Sequence, residues 1–165
     1  MKMIMKQDIV LLNRMENKMK KIIGLSSIFL LIDIVVKLLV SGNMILHQSI
    51  KIIDNFFYIT YVKNTGAAWS ILSGKQFFLI LVSLVVIVGL IFYLCKKNAF
   101  SKVEIIGYSL LISGAVGNLI DRIIYGYVID YLNFYIFNYD FPIFNIADTC
   151  IVIGIMLLFI SSWRE

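Results

Sequence analysis

Two aspartates, Asp130 and Asp148, stand 18 positions apart on either side of an aromatic-rich stretch, beside segments apolar enough to enter a membrane. A carboxylate at or near membrane depth is costly, and its presence marks a functional site by default. Two carboxyls that share a site cannot both ionise easily, so one proton is held between them. The ionised partner can activate a water while the protonated one donates to a carbonyl, as in aspartic proteases. The single histidine, His47, falls early in a loop and reads as a surface residue. No Ser-His or Cys-His pair is available to compete.

Further polar residues recur in short clusters. Asp33 and Lys37 are four apart, on one face of a helix, where they compensate each other's charge. At membrane depth that pair reads as support for a polar site. In Gly117-Asn118-Leu119-Ile120-Asp121-Arg122, Asn118 and Asp121 share a helix face, and the Arg122 guanidinium can grip a carboxylate or carbonyl with two prongs. Asn64-Thr65-Gly66-Ala67-Ala68-Trp69 contains small residues that let another backbone come close. Asn145 is a good helix N-cap and Asp148 falls three residues later, as in a capping box. Asp148 thus also has a purely structural reading, although the same placement favours its ionised form.

What must position these residues is a membrane fold. The chain has 165 residues, 61% of them apolar and 15% charged, against about 25% charged in soluble domains. The apolar residues are gathered into runs at 22–40, 77–94, 103–120 and 145–163, each near the roughly 20 residues that cross a bilayer as a helix. An all-α membrane protein of four transmembrane helices is expected, with the first run retained as a span rather than removed as a signal peptide. Residues 50–62, rich in β-branched and aromatic side chains, predict a small extracytoplasmic sheet. Residues 121–144 read as an aromatic-rich outer loop anchored at the membrane interface, some of whose rings could instead form a flap.

Charge sets the orientation. Lys2, Lys6, Arg14, Lys18, Lys20 and Lys21 precede the first run, and Lys96, Lys97 and Lys102 lie between the second and third. The positive-inside rule therefore places both termini in the cytoplasm and loops 41–76 and 121–144 outside. Residues 1–21 form a cytoplasmic basic arm and residues 22–163 the membrane domain. The arm suits topology and anionic lipid better than nucleic acid. Cys95 and Cys150 fall at opposite membrane depths, too far apart for a disulfide. Neither neighbours a histidine or second cysteine that would make a metal site. With the topology fixed, Asp33, Lys37, Asn118, Asp121, Arg122, Asp130 and Asp148 converge near the outer face.

In order, Asp33-Ile-Val-Val-Lys37, Asn64-Thr-Gly-Ala-Ala-Trp69, Gly117-Asn-Leu-Ile-Asp-Arg122, Val128-Ile-Asp130 and Phe144-Asn-Ile-Ala-Asp148 resemble the motifs of the bacterial lipoprotein signal peptidase (signal peptidase II) family. The resemblance spans residues 22–163. It departs from the family at Ile34, where a polar residue is common, and in the length of the arm. It implies a multi-pass aspartic endopeptidase of the bacterial plasma membrane, without a metal or other cofactor. Such an enzyme removes the signal peptide of diacylglyceryl-modified prolipoproteins just before the lipidated cysteine. Asp130 and Asp148 would be the catalytic pair. Asn64, Gly66, Asn118, Arg122 and Asn145 would shape the site and hold substrate, supported by Asp33, Lys37 and Asp121. A binding site for globomycin-type cyclic peptides is implied, and a monomer is expected. The rival reading is a small proton- or cation-coupled carrier, which predicts polar groups spread through the membrane depth rather than gathered at one end.

Overall fold

In the computed structural model, residues 2–163 are described apart from 68, 70, 98 and 138, with side chains from residue 16 onward. Lys2, Lys6, Arg14 and Ala68 therefore lie outside the described side chains. The chain runs α1 (Lys2–Asn43), β1 (Ser49–Ile53), β2 (Phe57–Asn64), α2 (Gln76–Lys96), α3 (Lys102–Tyr125), β3 (Val128–Ile136), β4 (Tyr139–Asp140) and α4 (Ile146–Trp163). Four stretches are long and apolar enough to cross a membrane: Glu16–Asn43, Gln76–Lys96, Lys102–Tyr125 and Ile146–Trp163. They coincide with the four expected spans.

The helices are not equivalent. Buried residues make up 56% of the most apolar window of α3, against 17–22% in the other three. α3 packs on α1, α2 and α4, with α4 its closest neighbour. The least apolar span is therefore the central one, where its Asn and Asp side chains meet protein rather than lipid. The outer helices turn large apolar side chains outward, such as Phe77 and Phe92 on α2 and Phe159 on α4, as lipid contact requires. Small residues let α3 and α4 approach. A Cβ placed on Gly114 would lie 2.2 Å from the Ala147 carbonyl oxygen, and one on Gly154 2.8 Å from that of Gly107.

α3 begins with a complete capping box. Ser101 Oγ accepts from the Glu104 amide at 3.1 Å, and the Glu104 carboxylate accepts from the Ser101 amide at 2.8 Å. Glu104, a charge inside an otherwise apolar run, is thus explained by the helix start and by its ion pair with Lys97. At the other end α3 outlasts the expected 103–120 by more than a turn. It stops at Gly126, whose φ of 76° is the left-handed cap that glycine adopts without strain. α3 thus carries Asp121 and Arg122, with Asn118 and Asp121 on one helix as expected. The N-terminal arm is likewise helical, continuing α1 back to Lys2.

Residues 121–144 also differ from the expected aromatic loop. They supply β3 and β4, which join β1 and β2 in one antiparallel sheet of order β1-β2-β3-β4. Val62 pairs with Asp130, and Asn64 with Val128. Several rings expected at the interface are structural instead: Tyr131 is 1% exposed and packs with Val40, Tyr61 and Ile129 over the end of α1. Phe57, Phe134 and Phe144 stack in sequence, with centroids 4.5 and 5.7 Å apart. Alternation along β3 sends Ile129 and Tyr131 into this core and leaves Asp130 to face the other way.

Candidate active site

Asp130 and Asp148 line one cavity of about 510 Å³. Asp130 arrives on β3, placed by its pairing with Val62, and Asp148 lies in the first turn of α4. Asn64, Asn118, Arg122 and Trp69 share the lining, with Phe141, Pro142, Ile143 and Phe144 from the segment before α4. Ile151, Val152 and Ile153 extend the wall down α4, within its apolar span. The cavity thus joins a polar end, where the carboxyls are, to an apolar side on that helix.

Every carboxylate oxygen of the pair has a donor. Asp130 Oδ1 accepts from Asn145 Nδ2 at 2.7 Å, and Oδ2 from Asn64 Nδ2 at 2.9 Å. Asp148 Oδ1 accepts from Asn118 Nδ2 at 2.7 Å, and Oδ2 from the Asn145 amide at 3.2 Å. Asn145 Oδ1 in turn accepts from the Asp148 amide at 2.8 Å. Asn145 and Asp148 therefore do form a reciprocal cap on α4, and the structural reading of Asp148 is fulfilled alongside its place in the cavity. Asn145 Nδ2 also reaches Asn118 Oδ1 at 3.2 Å, so two carboxamides bridge the two aspartates.

Asp130 is 2% exposed. Burial first, and then the Asp148 carboxylate beside it, push its carboxyl from 3.8 up to about 7, although the Asn64 and Asn145 amides favour the anion. Asp130 therefore keeps a proton to much higher pH than an ordinary carboxyl, as a shared-proton pair requires.

Behind the cavity, Lys37 pairs with Asp33 and Asp121 at 2.9 Å each, with side chains no more than 6% exposed. Each carboxylate ties the cluster to another element. Asp33 accepts from the Ala147 amide at 2.9 Å, and Asp121 from the Ile129 amide at 3.1 Å. Gly117 makes room for Asp33, because a Cβ there would come within 2.6 Å of Asp33 Oδ2. Arg122 donates to the Gly66 carbonyl at 2.9 Å and to the Asn118 carbonyl at 3.3 Å. It fastens the loop after β2 to α3 and does not grip an aspartate. All ten residues singled out from the sequence thus come together. Three contributions went unread: the Gly117 gap, Tyr131 Oη accepting from the Ile146 amide at 3.3 Å, and the apolar wall of α4. Tyr131 had a signal, since it follows Asp130 on a strand and must point to the opposite face.

A four-helix membrane protein, capped by a small sheet and holding a buried carboxyl pair in one cavity, is the class this fold and site define. Residues 25–164 match the family described as signal peptidase (SPase) II. A lipoprotein signal peptidase of Bacillus subtilis (strain 168) is 45% identical over 129 residues, covering 78% of this chain and 84% of the relative. Another, from Staphylococcus aureus (strain JH9), is 40% identical over 142 residues, covering 86% and 87%. A solved bacterial membrane enzyme superposes with a TM-score of 0.81 at 36% identity, covering 87% of each chain. The chain belongs to the signal peptidase II family, and it is a membrane peptidase.

Proposed function

We propose that this protein is an aspartic endopeptidase that removes the signal peptide from diacylglyceryl-modified prolipoproteins. The observation that carries this is the pair Asp130 and Asp148, lining one cavity and bridged by Asn118 and Asn145. Asp148 is the ionised partner, because the amide at the α4 start and the helix dipole favour its anion. Asp130 carries the proton. Asp148 takes a proton from a bound water as its oxygen bonds to the scissile carbonyl carbon, and Asp130 gives its proton to the carbonyl oxygen. The neutral tetrahedral intermediate then collapses. Asp148 passes its proton to the departing amine as the C–N bond breaks, and a hydroxyl proton returns to Asp130, so the pair regains its starting state.

The apolar side of the cavity accounts for a lipidated substrate. Acyl chains remain beside Ile151–Ile153 in the bilayer while the peptide reaches the carboxyls. The lysines at the opposite ends of the helices support a site near the outer face of the plasma membrane with both termini in the cytoplasm. A globomycin-type cyclic peptide would occupy the same cavity. The protein acts as a monomer and needs no cofactor, since water activation and proton transfer are both supplied by side chains. Incubating the purified protein with diacylglyceryl-modified and unmodified prolipoprotein, and reading products by mass spectrometry, tests the assignment. Cleavage of the modified form alone, just before its lipidated cysteine, is expected; equal cleavage of both forms would overturn the lipid requirement.

A further inference from the structure

We propose that Lys37 is a positioning residue of the site, its ammonium fixing the carboxamide of Asn118 and thereby the donors presented to both Asp148 and Asp130. This rests on the aspartate pair proposed above. Lys37 is 2% exposed and takes no part in the cavity lining, so it cannot touch a substrate there. An ammonium has three hydrogens to donate, and Lys37 meets three acceptors: Asp33 and Asp121 at 2.9 Å each and Asn118 Oδ1 at 3.1 Å. The first two hold it and neutralise it. The third is the informative contact.

A carboxamide can turn over and exchange its oxygen for its nitrogen, and its neighbours decide which way it lies. At Asn118 they agree. Its oxygen faces Lys37 and Asn145 Nδ2, both donors, and its nitrogen faces the Asp148 carboxylate at 2.7 Å. Turned over, the amide would set N–H groups against an ammonium and an oxygen against a carboxylate. Lys37 is the one charged donor at the Asn118 oxygen, and it penalises that alternative. Asn145 is oriented in the same chain of contacts, since Nδ2 reaches both Asn118 Oδ1 and Asp130 Oδ1. One buried cation therefore sets the polarity of two amides and, through them, of the catalytic pair.

Removing Lys37 alone would leave two buried carboxylates unpaired and unfold the protein. The test compares two triple variants, Asp33→Asn/Asp121→Asn with Lys37→Met and Asp33→Asn/Asp121→Asn with Lys37→Gln: neither leaves an unpaired charge in the cluster, and only the second keeps an N–H for Asn118. Folding is followed by thermal unfolding in detergent. The Lys37→Met variant is expected to show a kcat at least tenfold below that of the Lys37→Gln variant, with KM within about twofold. A Lys37→Met kcat within twofold of the Lys37→Gln value would overturn the proposal. Should Lys37→Met fail to fold, Lys37→Leu in the same Asp33→Asn/Asp121→Asn chain replaces it, with the same loss of kcat expected. A Lys37→Leu kcat within twofold of the Lys37→Gln value would overturn the proposal. Asp130→Asn is run alongside. If it cleaves, the aspartate pair itself is wrong; if it is inactive while Lys37→Met keeps full kcat, only the role of Lys37 fails.

Discussion

A carboxyl whose proton is released near pH 7 leaves two separate traces, one in turnover and one in stability. With Asp130 proposed to act in its protonated form, cleavage should fall as pH rises through about 7, to roughly a tenth at pH 8 of its rate at pH 6. A flat profile across that range would exclude Asp130 as the proton donor. The stability trace has the opposite consequence for the variant. Because the folded-state value lies above the ordinary 3.8, the folded protein keeps a proton that the unfolded chain releases between 3.8 and about 7. Asp130 therefore costs nothing at pH 4 and progressively more as pH rises, reaching on the order of a few kcal/mol above pH 7. Asp130→Asn should raise the unfolding temperature at pH 8, with the gain shrinking toward pH 5. Thermal unfolding in detergent at both values measures it. The residues of the site were legible because their types have few other uses in a membrane: Asp33, Lys37, Asn118, Asp121 and Asp148 interrupt apolar runs. Their division of labour was not. Nothing in a linear sequence shows that Asp33 caps α4 through the Ala147 amide or that Arg122 holds the Gly66 carbonyl, because those partners come from other elements.

The elements obey the lipid as much as they obey one another. The apolar runs located all four helices, since a span must satisfy its backbone internally and cover itself with apolar side chains. Their ends were less legible. The apolar run of α3 stops at Ile120, yet Asp121 and Arg122 turn toward protein and the helix continues to Tyr125. β3 was missed for a related reason. Apart from Asp130 and Asn133, its residues are apolar or aromatic on both faces, because one face packs on the end of α1 and the other carries Asp130 toward the cavity. The alternation that marks a half-exposed strand is therefore absent. The α3–α4 seam yields a sharp prediction about elements. Gly114→Ala places a methyl 2.2 Å from the Ala147 carbonyl and must push α4, with Asp148, away from Asn118. It should cost about 1–3 kcal/mol and most of the activity. Gly89→Ala, on α2 with nothing within 4 Å of the added atom, should leave unfolding temperature and turnover unchanged or slightly improved.

On the scale of the whole molecule, the polar residues converge at one end of a bundle whose other end carries Lys18, Lys20, Lys21, Lys96, Lys97 and Lys102. That separation argues for a surface-facing site over a conduction path, which would need polar groups along its length. It also predicts a topology that labelling can test. In a chain with Cys95 and Cys150 replaced by alanine, a Phe137→Cys thiol, at a fully exposed position between β3 and β4, should react with a membrane-impermeant maleimide on intact cells. A Lys102→Cys thiol should react only after permeabilisation. The reverse pattern would put the site on the wrong side of the membrane for its proposed substrate.

The most direct test of the aspartate pair is turnover of diacylglyceryl-modified prolipoprotein by purified protein carrying Asp130→Asn or Asp148→Asn, with folding checked by thermal unfolding. Each variant should remain folded and cleave at least a thousandfold more slowly than the parent, about 4 kcal/mol of lost transition-state stabilisation. Substantial cleavage by either folded variant would contradict catalysis by Asp130 and Asp148.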